Sequence, residues 1–306
     1  MHLTSILVVT DFSIGGNHTI ERAAQLAIAH SATLRLLYAP STASPMCDNP
    51  ARRLARVARA LSRRPGLVVR AIRDPATSLR NVVRQSLAAD LLVIHDRQER
   101  NLQTLLLGQP VIRLARLCDC PVLVTRNTGY ARSERVLVAV DFSARSRQLA
   151  ALACALEKDS RIELFHAVST SGEGNLRQAD VPHHVIKTYR ETCVEHAQKQ
   201  LALLRSSFGM HPVVLDSSIG RGDPAEQAVA RQRAINADLL VVGMSRGGMV
   251  RDLFFGSPAQ RVLRRANCDV LFVPHAEEPL STTAARRRID VQPRASALDY
   301  NNGGVS

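Results

Sequence analysis

ILVVTDFS (residues 6–13) and VLVAVDFS (residues 136–143) are one phrase written twice in a single chain. Each is an apolar run rich in β-branched residues, which favours a strand, and each ends in Asp-Phe-Ser. A helical pattern follows both times, carried by Ala23, Ala24, Leu26 and Ala27 in the first case and by Leu149, Leu152, Ala153 and Leu156 in the second. The correspondence continues outward. ATLRLLYA (32–39) answers SRIELFHA (160–167), and RDPA (73–76) answers GDPA (222–225). ADLLVIH (89–95) answers ADLLVVG (237–243), and CDCPVLVTR (118–126) answers NCDVLFVP (267–274). A repeat on this scale is two copies of one domain.

Each copy reads β-α-β-α-β-α-β-α-β. The strand runs are apolar throughout, as parallel strands covered on both faces are. Alternating strands and helices specify α/β architecture: two tandem doubly wound domains, each an open five-stranded parallel sheet flanked by helices. In such sheets the ligand crevice lies beyond the carboxyl ends of the strands, where strand order reverses. Asp11, Asp141, His95 and Gly243 stand at such ends. The domains are expected over 1–127 and 133–275, joined through NTGYARSE (127–134), with a flexible tail over 276–306 that lacks apolar periodicity. Asp-Pro in both RDPA and GDPA reads as a helix start. The second copy is longer, and its extra residues fall around 169–200. There STSGEGNLRQADVPHH reads as a surface loop leading into a helix from about Val185.

Composition narrows the class. In 306 residues, 45% hydrophobic and 22% charged content belongs to a soluble globular protein. The longest apolar runs fall far short of the ~18–20 residues that span a bilayer, so no membrane association is expected. Six cysteines give no disulfide framework, and with no export signal in view a cytoplasmic location is the natural expectation. The net charge of +13 is concentrated in the first half, where residues 1–128 hold seventeen basic and eight acidic side chains. Much of it lies in Arg52, Arg53, Arg56, Arg59, Arg63 and Arg64, with Leu54, Val57, Ala58 and Leu61 at helical spacing between them. The plain reading is an amphipathic helix with a solvated arginine face; the alternative is a module that recruits partners or acidic polymers through a basic first domain. With no Trp and 4% aromatic content there is no stacking platform, which argues against nucleic acid as a partner.

GMSRGGMVRDLFFGS (243–257) follows a strand, is rich in glycine and leads into a helical pattern at Pro258–Arg265. Glycines permit close backbone approach, and amides at a helix N-terminus favour phosphate. With the tandem repeat, the Asp-x-Ser strand ends and the Gly-Asp-Pro-Ala turn, this loop resembles those of the universal stress protein (UspA) superfamily, over residues 3–127 and 133–275. Members of that family that bind ATP carry G-x2-G-x9-G-[S/T] after the fourth strand. Gly243 and Gly256 keep the separation and Ser257 supplies the hydroxyl, but Arg246 stands at the middle glycine, with Gly247 and Gly248 beside it.

The resemblance implies a Rossmann-like fold and a stress-response role. It further implies ATP or another adenine nucleotide as ligand in the second domain, held by Asp141, Phe142, Ser143, Val168, Gly243, Arg246, Gly247, Gly248, Gly256 and Ser257. Asp141 would meet the adenine or ribose edge, and the loop amides with Ser257 would meet the phosphates. Arg246 either blocks the cradle or pairs with phosphate in place of backbone amides. In the first copy the loop HDRQERNLQTLLLGQP (95–110) keeps the length but has His95, Gln98 and Gln109 at signature positions, so nucleotide is not expected there. The family also pairs through its last strands, which implies that Val122–Thr125 and Val270–Val273 bring the two domains together as a pseudo-dimer, and a homodimer can form the same way.

Neither G-x4-G-K-[S/T], G-x-S-x-G nor H-E-x-x-H occurs, so no enzyme beyond a weak ATPase is expected. Cys118 and Cys120, and the group His183, His184, Cys193 and His196, read as buried thiols and solvated polar residues. No metal is expected beyond Mg accompanying nucleotide.

Overall fold

The computed structural model describes residues 3–40, 47–96, 110–126, 133–209, 215–245 and 258–275. In the first copy the order is β1 (Ser5–Thr10), α1 (Ile14–His30), β2 (Thr33–Tyr38), α2 (Pro50–Leu61), β3 (Val68–Ala71), α3 (Leu79–Ser86), β4 (Leu91–His95), α4 (Pro110–Leu117) and β5 (Val122–Thr125). The second copy runs β6 (Arg135–Ala139), α5 (Ser146–Leu156), β7 (Arg161–Val168), α6 (Ser171–Gln178), α7 (His183–Ser206), β8 (Leu215–Arg221), α8 (Pro224–Ala234), β9 (Leu239–Ser245), α9 (Pro258–Arg265) and β10 (Asp269–His275).

Each half is a parallel five-stranded sheet, and the two halves join edge to edge into ten strands in the order β3-β2-β1-β4-β5-β10-β9-β6-β7-β8. The junction between β5 and β10 is antiparallel while the other ladders are parallel. Leu123 faces Leu271, with Val122 opposite Phe272 and Val124 opposite Val270. Leu123 and Leu271 hold corresponding places in the repeat, so a pseudo-two-fold axis passes through that pair. The side chains on both sides of the junction are fully buried.

Successive strand residues alternate between two apolar layers. Ile6, Val8, Leu123, Val138, Val241 and Leu271 lie on the side of α1 and α5. Leu7, Leu92, Val122, Val124, Leu240 and Phe272 lie on the side of α4 and α9. Both layers run across the junction, so each is shared by the two copies.

Two local readings are corrected. In the second copy Asp223 caps α8, accepting from Ala225 N (3.1 Å) and Glu226 N (3.0 Å), with Pro224 in the first turn. In the first copy Asp74-Pro75 starts no helix. The Ala76 amide is used on the Tyr38 carbonyl (2.8 Å), and α3 begins only at Leu79, capped by Ser78. The stretch after Val168 is also not a loop as far as Val185: it holds α6, and α7 starts at His183. Glycines 172 and 174 disfavour that helix locally, and Glu173 overrides them by anchoring it to α7 and β8 (below).

Charge is sealed into the seam between the copies. Arg22 of α1 forms an ion pair with Glu157, at the end of α5, and both side chains are about 5% exposed. Arg22 also donates to Ser133 Oγ (2.9 Å) and lies 3.9 Å from Asp269. Nearby, Arg126 Nε donates to Asp96 (2.8 Å) and its backbone amide to Asp269 (2.8 Å), while His30 Nε2 lies 3.0 Å from the Leu156 carbonyl. Burial pushes the Glu157 carboxyl above its ordinary value, with Arg22 pulling the other way. Arg22→Met would leave the buried Glu157 carboxyl without its cation, with Ser133 Oγ (3.3 Å) still beside it, at a cost of about 3–5 kcal/mol. Urea unfolding should show that loss, and Arg22→Met with Glu157→Met should recover most of it.

Candidate functional site

Strand order reverses between β1 and β4 in the first half and between β6 and β9 in the second, which places one crevice in each copy. The Asp-Phe-Ser turns at their floors share a backbone device. Phe12 (φ 61°) and Phe142 (φ 60°) both sit in the left-handed region, which bends the chain sharply from strand to helix. Each ring then folds onto an aromatic partner in the next strand, at the end of β2 and two residues before the end of β7. Phe12 stacks on Tyr38 at 5.1 Å between centroids, and Phe142 on His166 at 4.0 Å. His166 is held by its Nδ1, 2.8 Å from the Val140 carbonyl.

The first crevice is closed. Asp11 is only 6% exposed, and its Oδ1 accepts from the Ser13 amide (3.0 Å) and hydroxyl (2.6 Å). Ser13 in turn caps α1, its Oγ accepting from Gly16 N (3.0 Å). Asp11 therefore braces its own turn and leaves the capping to Ser13. His95, at the end of β4, lays its ring directly on Gly15: a Cβ there would come within 2.1 Å of Nε2. The imidazole thus fills the gap between β4 and the start of α1.

The second crevice differs at each of these points. Asp141 is exposed, and its Oδ1 accepts from Ser143 N (3.0 Å) and Ser146 Oγ (3.0 Å). Partial burial pushes the Asp141 carboxyl up, but the hydrogen bonds from Ser143 and Ser146 outweigh it and leave the group below its ordinary value. The helix begins five residues after the aspartate, at Ser146, instead of three residues after it, as at Ile14. No side chain caps its start. Gly243 stands in β9 where β4 has His95, and the nearest atom to a Cβ there is on His275, at 3.3 Å. The end of β9 beside β6 carries no imidazole of its own strand.

Of the residues expected in the site, Asp141, Phe142 and Ser143 form one turn, flanked by Val168 at the end of β7 and Gly243 near the end of β9. Phe142 is half-buried with its ring engaged by His166, and Val168 is half-buried with its carbonyl accepting from Gly222 N (3.0 Å). Arg246, Gly247, Gly248, Gly256 and Ser257 lie outside the described residues.

Sequence reading missed His166, although the repeat sets it against the aromatic Tyr38. It also missed Glu173, which anchors α6 beside Val168. Glu173 is buried and accepts from Arg190 (2.9 Å) and Arg221 (2.7 Å), and these contacts hold its carboxyl below the ordinary range. No sequence pattern pairs residues 173, 190 and 221.

Among the described residues no three His, Cys, Asp or Glu side chains gather as a metal site. Cys118 and Cys120 are buried, and burial first, then the neighbouring Cys118, pushes the Cys120 thiol up to about 12. Among the described residues no helix is long and apolar enough to cross a membrane. For Asp141, the ordinary carboxyl midpoint is about 3.9. Its stabilising contribution is therefore present above that value and lost as pH falls through the lower folded-state midpoint. Carboxyl-carbon NMR titration should place Asp141 below the free-aspartate value, and Ser146→Ala should move it upward.

Among known proteins, the model of the universal stress protein family matches residues 2–126 and again 132–274. The universal stress protein E homolog of Haemophilus influenzae is 24% identical over 191 residues, which span 60% of this chain and only 61% of that relative's length. A universal stress protein structure from Archaeoglobus fulgidus aligns at a TM-score of 0.68 and 19% identity, covering 90% of this chain and 97% of its own. A functionally unknown protein from Pseudomonas aeruginosa aligns at 0.61 and 19%, covering 89% and 92%. These two likenesses show the fold. The two matches to the family model cover nearly all of the repeat, and the chain belongs to the universal stress protein family.

Proposed function

We propose that this chain serves a stress response and binds one adenine nucleotide, ATP or a relative, in the crevice of its second domain, the first domain holding none. The observation that carries this reading is the contrast between two crevices built on the same turn. Asp11 is buried and His95 packs onto Gly15, whereas Asp141 is exposed and Gly243 replaces the imidazole. An exposed carboxylate kept ionised is an acceptor for an adenine amino group or a ribose hydroxyl. The half-buried Val168 beside it offers apolar surface to a base. The chain from 246 to 257 supplies the phosphate side in this reading, through its glycine amides, Ser257 and Arg246, with Mg accompanying the nucleotide. Those donors suit a polyphosphate, since guanidinium and backbone N–H groups both pair with its oxygens.

Isothermal titration with ATP should give one site per chain. Asp141→Ala or Gly256→Val should abolish binding, while His95→Ala leaves it unchanged. Two sites per chain, or binding that survives Asp141→Ala, would defeat the assignment. If Arg246 pairs with phosphate, Arg246→Gly weakens binding by about 1.5–3 kcal/mol; if Arg246 obstructs the cradle, the same change tightens it.

A further inference from the structure

Ten arginines and a single acid, Asp74, occupy residues 49–89. The structure shows where they go. On α2 the apolar residues are committed to the core: Leu54 and Leu61 are buried beneath it, and Val57 and Ala58 pack on the same cluster. Of the six arginines on α2 and in the turn that follows it, two have partners in the fold. Arg64 makes a two-pronged contact with Glu21 (2.6 and 2.8 Å), and Arg53 lies 4.4 Å over the Phe12 ring. The other four are Arg52, Arg56, Arg59 and Arg63, spaced i, i+4, i+7 and i+11. Arg52, Arg56 and Arg59 share one side of α2, and Arg63 follows in the turn two residues beyond its end. All four are exposed, and none meets a carboxylate among the described residues.

The second copy provides an internal control. Its equivalent helix, α7, also connects the second and third strands of its domain. There the charges are mixed, with Lys187 3.9 Å from Glu191 and Glu195 one turn further on. The unneutralised stripe is a property of one copy and not of the fold.

We infer that the arginine stripe of α2 binds the phosphate backbone of duplex nucleic acid without regard to sequence. This goes beyond the nucleotide site and lies in the other domain. It makes specific the acidic-polymer alternative raised by the composition and reverses the expectation against nucleic acid, which the lack of a stacking platform had supported. Stacking serves single strands; a duplex keeps its bases stacked and presents its backbone, about one charge per 1.7 Å of axis. The planar guanidinium pairs with phosphate oxygens two at a time, and each of the seventeen basic residues in 1–128 is an arginine. A lipid surface fits less well. A helix held at a bilayer lowers an apolar face into it, and the apolar face of α2 is already buried in the core.

The test is fluorescence anisotropy of a labelled random-sequence 20-base-pair DNA duplex with the full chain, against the quadruple variant Arg52→Gln/Arg56→Gln/Arg59→Gln/Arg63→Gln. Glutamine keeps helix propensity at these exposed positions, and circular dichroism melting confirms that the variant folds. Four phosphate contacts predict an affinity that falls roughly 100-fold between 50 and 200 mM salt. The variant should bind at least ten-fold more weakly at 50 mM salt, with a log–log salt slope shallower by about 3 to 4. Lys187→Gln/Lys199→Gln on α7 should change neither. Absence of saturable binding by the wild type, or equal binding by the quadruple variant, overturns the inference. Tighter, stripe-dependent binding to phosphatidylserine vesicles than to duplex would overturn it in favour of a membrane. Asp141→Ala should leave duplex binding intact, so loss of the nucleotide site and loss of this one are read separately.

Discussion

The antiparallel ladder between β5 and β10 is the contact on which the rest of the molecule depends. Five parallel strands with helices on both faces still leave an edge, and here that edge is Val122, Leu123 and Val124, too apolar to face water. The second copy offers Val270, Leu271 and Phe272 in the same condition. Pairing the two edges satisfies their backbone groups and joins the apolar layers of the two copies on both faces of the sheet. It also fixes where everything else lies. The crevices are carried on either side of the junction, the seam charges face each other beneath it, and β3 and β8 become the outer edges.

Charge at the seam supports this arrangement in a different currency from the apolar ladder. Arg22, Glu157, Asp269 and Asp96 are buried and Arg126 is nearly so; Arg22 reaches Glu157 and Asp269 across the copies, Arg126 reaches Asp269, and Asp96 steadies Arg126 from within the first copy. A network of this kind adds little net energy relative to apolar packing, but it penalises any slip that separates its members. The ladder supplies affinity between the halves and the ions supply register.

Much of the fold was legible because its signals are local. The strand runs at 6–10 and 136–140 announce themselves by composition, and the recurrence of Asp-Phe-Ser after each reveals the repeat. What was not legible depends on groups far apart in sequence. Nothing in RDPA shows that the Ala76 amide is already used by Tyr38, so the Asp-Pro rule failed there while succeeding at Asp223. Nothing in SGEGN shows that Glu173 will find Arg190 and Arg221, and the local glycines point the other way. In the candidate site, the repeat placed Asp141 and Gly243 at strand ends, and the family resemblance alone suggested their role toward a ligand. That the first crevice is closed by an imidazole lying on Gly15 needs residues eighty positions apart to meet.

The antiparallel junction has a further consequence because it lies within one polypeptide. Where separate chains pair through such an edge, the pair falls apart on dilution and its two members are the same. Here the tether keeps the local concentration of one edge at the other high whatever the amount of protein present. The pairing is also always between unlike halves. A change that suits one side is never copied onto the other by symmetry, so one half can lose an opening while its neighbour keeps one. Two surfaces of different character are thereby delivered together, in fixed ratio and fixed orientation.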